Sequence, residues 1–151
     1  MGKNGKKIII FIVILVLLAL VVVNFVPSLG RFSSKDTSRW VAIRYVFGKV
    51  AAMDQAQAEA ILSQPVDITA TQILFQGKTC QNLITQMETV KSTDYLVTTW
   101  QITPELLGIQ DTNLQVVKTN CDIPGFQEYV QLGTGQLIVW LDGVFFLFDP
   151  R

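Results

Sequence analysis

Residues 136–148 read QLIVWLDGVFFLF, two apolar runs on either side of Asp142-Gly143. An Asp-Gly pair accepts the positive φ angles of a type I′ turn, whose twist matches that of paired strands. The stretch therefore predicts a hairpin of Gln136–Leu141 and Val144–Phe148. The alternative is one long strand with Gly143 at a bulge. Either way, the C-terminal end of the chain is β-structure.

Toward the N-terminus, apolar runs and turn signals keep alternating. Strands are predicted at Phe126–Leu132, Leu114–Cys121, Tyr95–Ile102, Leu83–Val90 and Val66–Phe75, with Arg39–Phe47 (RWVAIRYVF) first. Turn residues separate them, among them Gln76-Gly77-Lys78, Ser92-Thr93-Asp94 and Gly133-Thr134-Gly135. Seven or eight short strands spaced about ten residues apart point to an antiparallel barrel or sandwich. A barrel is preferred, because one sheet of that many strands leaves two edges open.

Two helical segments interrupt the strands. Asp54–Ser63 (DQAQAEAILS) has an acidic start and good helix formers, and Pro65 closes it. Thr103–Gly108 (TPELLG) reads as a single turn with Pro104 at its first position and Gly108 past its end.

The N-terminal part is of another kind. Residues 8–26 (IIIFIVILVLLALVVVNFV) carry no charge and one polar side chain, Asn24. A helix of that length nearly spans a hydrocarbon core of about 30 Å. In lipid only a helix or a closed barrel satisfies the backbone, so the β-branched content does not count against it. Pro27 and Gly30 stop the helix. A cleaved signal peptide is the competing reading, but the run is longer than such peptides need and no small-residue site follows it. The expected organisation is a cytosolic basic tail at 1–7, a transmembrane signal-anchor at 8–27, a linker at 28–38 and an extracytoplasmic β-barrel domain at 39–151. Lys6 and Lys7 abut the helix and favour a cytosolic N-terminus, whereas Arg31, Lys35 and Arg39 beyond it weaken that preference.

Composition narrows the function. The 151 residues are 50% hydrophobic and 16% charged, with twelve basic and twelve acidic side chains. The anchor accounts for much of the mean hydropathy of +0.39. Beyond it, residues 28–151 hold nine basic and twelve acidic groups, a net charge of −3. That argues against a nucleic-acid partner, which asks for a basic excess. The chain has no histidine. The commonest general base and metal ligand are thereby missing, along with every Ser-His or Cys-His dyad.

Cys80 and Cys121 each end a strand-like run. An even pair in a small exported domain reads as one disulfide. Two free buried thiols in a cytosolic domain are the other possibility, since sequence does not establish that the pair is close.

The order of motifs resembles that of small exported bacterial proteins with a lipocalin-like β-barrel. The resemblance is carried by Trp40, Ala58 to Leu62, Ile73 to Cys80, Thr103 to Ile109, Cys121, Glu128 to Leu132 and Asp142 to Phe146. It covers nearly the whole domain after the anchor. It implies a fold and an exported location rather than a reaction, and the uncleaved anchor departs from the simple secreted form.

Catalytic motifs are sparse. G-x-S-x-G, S-x-x-K, C-x-x-C and glycine-rich phosphate loops do not occur. Glu128, Asp142 and Asp149 are the nearest approach to a carboxylate pair, though turns and exposed strand faces explain each of them. Asp94, Asp111 and Asp122 read as solvated turn residues rather than a calcium site. Neither a metal nor a cofactor is implied, and the domain is not expected to be an enzyme.

What remains is recognition. Trp40, Tyr45, Trp100 and Trp140 are the candidate ligand-lining side chains, weighed against plain core filling. The expected function is a non-catalytic, membrane-anchored β-barrel that binds a protein partner or a small apolar ligand. The alternative is an accessory single-pass subunit of a membrane complex. A carboxylate-dependent hydrolase comes third.

Overall fold

The computed structural model describes residues 38–151. The basic tail, the anchor and the linker up to residue 37 lie outside the described residues, and Ser38 already belongs to the first strand. Among the described residues no helix is long and apolar enough to cross a membrane.

The chain is mainly β. Its strands are β1 (Ser38–Phe47), β2 (Pro65–Ile68), β3 (Gln72–Phe75), β4 (Lys78–Gln81), β5 (Thr85–Lys91), β6 (Asn113–Thr119), β7 (Glu128–Gln131), β8 (Leu137–Leu141) and β9 (Val144–Pro150). They form one antiparallel sheet in the order β4-β3-β2-β1-β9-β8-β7-β6-β5, curled into a half-barrel. The hairpin that opened the sequence reading is present. Leu141 pairs with Val144, and Asp142 and Gly143 take φ values of 50° and 86°, as a type I′ turn requires.

The barrel is not closed by hydrogen bonds, contrary to the expectation of a sealed cylinder. β4 and β5 are the two edges, and side chains bridge the seam between them. Cys80 on β4 and Cys121 just after β6 form a disulfide with Cα atoms 5.6 Å apart. Beside it, Asn120 ties down the crossing chain. Its Oδ1 accepts from the Ile84 amide at 2.8 Å, and its Nδ2 donates to the Asn82 carbonyl at 3.1 Å.

Strands β6–β9 are packed on both faces, whereas the edge strands β4 and β5 are largely exposed. The inner face holds Val66, Phe75, Val117, Phe126, Tyr129, Phe146 and Phe148. Helix α1 (Gln55–Ile61) lays Ala58 and Ile61 against it. Asp54 starts that helix with a capping box: its Oδ1 accepts from the Gln57 amide, and the Gln57 side chain accepts from the Asp54 amide. The outer face of β6–β9 holds Leu114, Val116, Val130, Ile138, Phe145 and Leu147. Residues 92–109 cover it with Leu96, Ile102, Leu107 and Ile109.

That cover departs from the expected strand at Tyr95–Ile102. The chain forms α2 (Ser92–Tyr95), which continues as a π-helical turn (Leu96–Trp100), and then α3 (Pro104–Leu107). Val97, Thr98 and Thr99 favour a strand by propensity. However, β5 already pairs directly with β6, so the sheet has no place for a strand between them. Leu96 and Trp100, four residues apart, instead reach the outer core from one side of a helix. The single expected strand at Val66–Phe75 is likewise two strands. Thr69 turns the chain, its Oγ1 accepting from the amides of Thr71 and Gln72.

One bulge decides which face β1 shows. Ala42 pairs with Phe148 and Arg44 with Leu147, which leaves Ile43 as an extra residue. Ala42 and Tyr45 therefore both pack on the inner core, while Val46 packs on the outer one. Arg44 Nη2 donates to the Leu107 carbonyl at 2.5 Å and fastens the end of α3 to the sheet.

Candidate ligand-binding groove

The barrel interior is filled by rings. Phe75 lies 5.1 Å from Phe126 and 6.0 Å from Phe148 between centroids, and Phe126 lies 6.0 Å from Tyr129. Burial pushes the Tyr129 phenol up to about 12. The rim under α1 keeps a hollow of about 250 Å³, reached by Met53, Ile61 and Ile123. None of the four candidate aromatics lines it.

Those four side chains fall into two pairs. Trp40 packs on the inner core and its Nε1 donates to the Gly135 carbonyl at 2.9 Å. Tyr45 sits against Phe146 and Phe47, with its hydroxyl 3.5 Å from Glu59 Oε1. Both are explained by packing and neither borders an open groove on the outer face. Trp100 and Trp140 do border one, of about 690 Å³, together with Val50, Gln127, Glu128 and Asp142.

Each wall has a local cause. Trp140 points outward from β8 beside its cross-strand neighbour Phe145, and it remains 46% exposed. The π-helical turn sets Trp100 over Phe145 at 5.4 Å and beside Tyr95 at 5.3 Å. Such edge and tilted contacts hold an indole in place without consuming all of its surface. Glu128 opens β7 opposite Lys118 of β6. Its carboxylate accepts from the Tyr95 hydroxyl and lies 3.9 Å from Lys118 Nζ. Burial first, and the neighbouring Glu128 carboxylate second, raise the Tyr95 phenol well above its ordinary range.

The far wall is the loop after β1. The Asp142 carbonyl accepts from the amides of Ala52 and Met53 at 2.9 and 3.3 Å. Gly143 permits this approach, because a Cβ there would stand 2.2 Å from the Val50 carbonyl oxygen. Val50 is left 82% exposed at the groove margin. The Asp142 carboxylate itself makes no hydrogen bond or ion pair among the described residues.

Of the three candidate carboxylates, the structure brings Glu128 and Asp142 to one groove. Asp149 lies near the opposite end of β9, where its Oδ1 accepts from Gln136 Nε2 at 2.6 Å. Among the described residues no three histidine, cysteine, aspartate or glutamate side chains converge as a metal site. Asp94 is in the first turn of α2 rather than a loop, and Asp111 Oδ2 accepts from the Gly133 amide at 3.0 Å.

Sequence reasoning found neither Val50 as a groove residue nor Tyr95 as the support behind Trp100 and Glu128. Tyr95 was hidden by the strand propensity of its segment. Val50 carried one signal, an apolar residue in a short glycine-started loop. In comparisons with known proteins, no family model, no curated protein and no solved structure matches this chain.

Proposed function

We propose that this chain is a single-pass, membrane-anchored module whose lipocalin-like half-barrel, outside the cytosol, binds a partner without catalysing a reaction. One observation carries this reading: Trp100 and Trp140 border the same open groove on the outer face, while aromatic rings fill the interior. Binding thus falls to the outside of the barrel rather than its cavity. Ser38 and the groove lie at opposite ends of β1. The disulfide suits an oxidising compartment.

Site-specific photo-crosslinking in intact cells tests it. A photo-reactive residue at Val50 should capture a discrete species that the same residue at Ile43, on the bulge, does not. Capture of the same set from both positions would sink the groove as the binding surface. Labelling of Cys80 by an impermeant maleimide only after external reduction would support the assigned location. Ready labelling from the cytosolic side would refute it.

A further inference from the structure

The ionisable residues that line the groove are both acidic, Glu128 and Asp142. Glu128 is partly answered by the Tyr95 hydroxyl and by Lys118, which also lies 3.6 Å from Glu88. Asp142 has no such partner among the described residues. The same groove is lined by Trp100 and Trp140, one fixed by its ring neighbours and the other half-exposed. A groove that combines aromatic faces with carboxylates favours a cation, above all a planar, weakly hydrated one.

We propose that the groove receives an arginine side chain carried by an extended basic segment of a protein partner. This rests on the groove being the binding surface. The guanidinium lies against Trp140 and donates to the Asp142 carboxylate, and Gln127 and Thr99 offer polar groups to the segment's backbone. Two features favour a polypeptide over a free amine. The groove is open along its length, whereas sites for small molecules bury most of the ligand. The net charge of −3 on residues 28–151 also draws a basic segment from a distance.

The test uses the full chain in nonionic detergent micelles and an acetylated, amidated heptapeptide, Ser-Gly-Arg-Ala-Arg-Gly-Ser. A matched peptide carries citrulline in place of arginine. The arginine peptide should change tryptophan emission saturably, and its binding should weaken as sodium chloride rises from about 50 to about 500 mM, since exposed charges are screened. Trp140→Ala and Asp142→Asn should each weaken it about two- to fivefold, with Ile43→Ala as the neutral control. Circular dichroism of each variant separates lost binding from lost fold, and Asp142→Asn stays informative if Trp140→Ala misfolds. Equal binding of the citrulline peptide would overturn the cationic occupant while leaving the groove in place. Arginine-peptide binding that ignores both substitutions would sink the groove itself, as would failure of the peptide to bind alongside Val50 crosslinking no better than Ile43.

Discussion

The two faces of the sheet are built differently. The inner face is a mesh of phenyl rings closed by a capped helix and a disulfide. The outer face of β6–β9 is covered by three short helical turns, the second ended by Gln101 and the third by Gly108, both at positive φ. A ring-filled interior leaves only a hollow of about 250 Å³ at its rim, whereas a short, irregular cover ends before the sheet does. Its margin exposes the groove. In this molecule the better-packed face provides stability and the patched one provides the surface that can be used.

Substitutions can break that contrast. Phe126→Ala, wholly buried on the inner face, should cost about 3–5 kcal/mol in urea unfolding. Replacing Cys80 and Cys121 together by alanine should cost about 4 kcal/mol in the chain-entropy model, given their separation of 41 residues. Leu96→Ala, buried under the outer cover, should cost about 2–3 kcal/mol. Hydrogen exchange would show the difference in kind. The amides of 92–109 should open in Leu96→Ala while those of β7–β9 stay protected. If β7–β9 open as well, the two faces are one cooperative unit and the contrast fails.

Alkaline titration gives the smallest effect. Burial raises the Tyr129 phenol in the folded chain to about 12, from about 10 when unfolded. The raised value means that its contribution is complete below about pH 10 and is lost as pH climbs toward 12, on the order of 2 kcal/mol. Phenolate absorbance at Tyr129 should therefore appear together with unfolding, and Tyr129→Phe should remove that part of the alkaline loss.

Much of the inner half was legible in the sequence. Asp142-Gly143 marked its hairpin, the acidic start at Asp54 marked the helix, and the two cysteines marked the staple. These are local signals with few alternatives. In the outer half the turn at Thr103–Gly108 was legible, but the rest of the cover was not, because it depends on what is already occupied. Tyr95–Ile102 has strand chemistry but meets a sheet with no vacancy beside β6. The candidate aromatics separated for a similar reason. The unpaired Ile43 turns Tyr45 inward, and no residue type announces a bulge.

The place where β1 meets β9 has a consequence for how the chain assembles. Trp40 lies opposite Pro150, so the two ends of the described chain are neighbours in the middle of the sheet. The outermost strands, β4 and β5, are by contrast consecutive in sequence. Strands β1–β4 and β5–β9 are thus two meanders, and the contact that unites them spans nearly the whole domain. Such a long loop closure slows folding. A circular permutant that joins residue 151 to residue 38 and opens between Asn82 and Ile84 would keep every strand pair while turning the sheet into one continuous up-and-down path. It should refold faster than the natural order, with its new termini held together by the cystine and by the hydrogen bonds of Asn120.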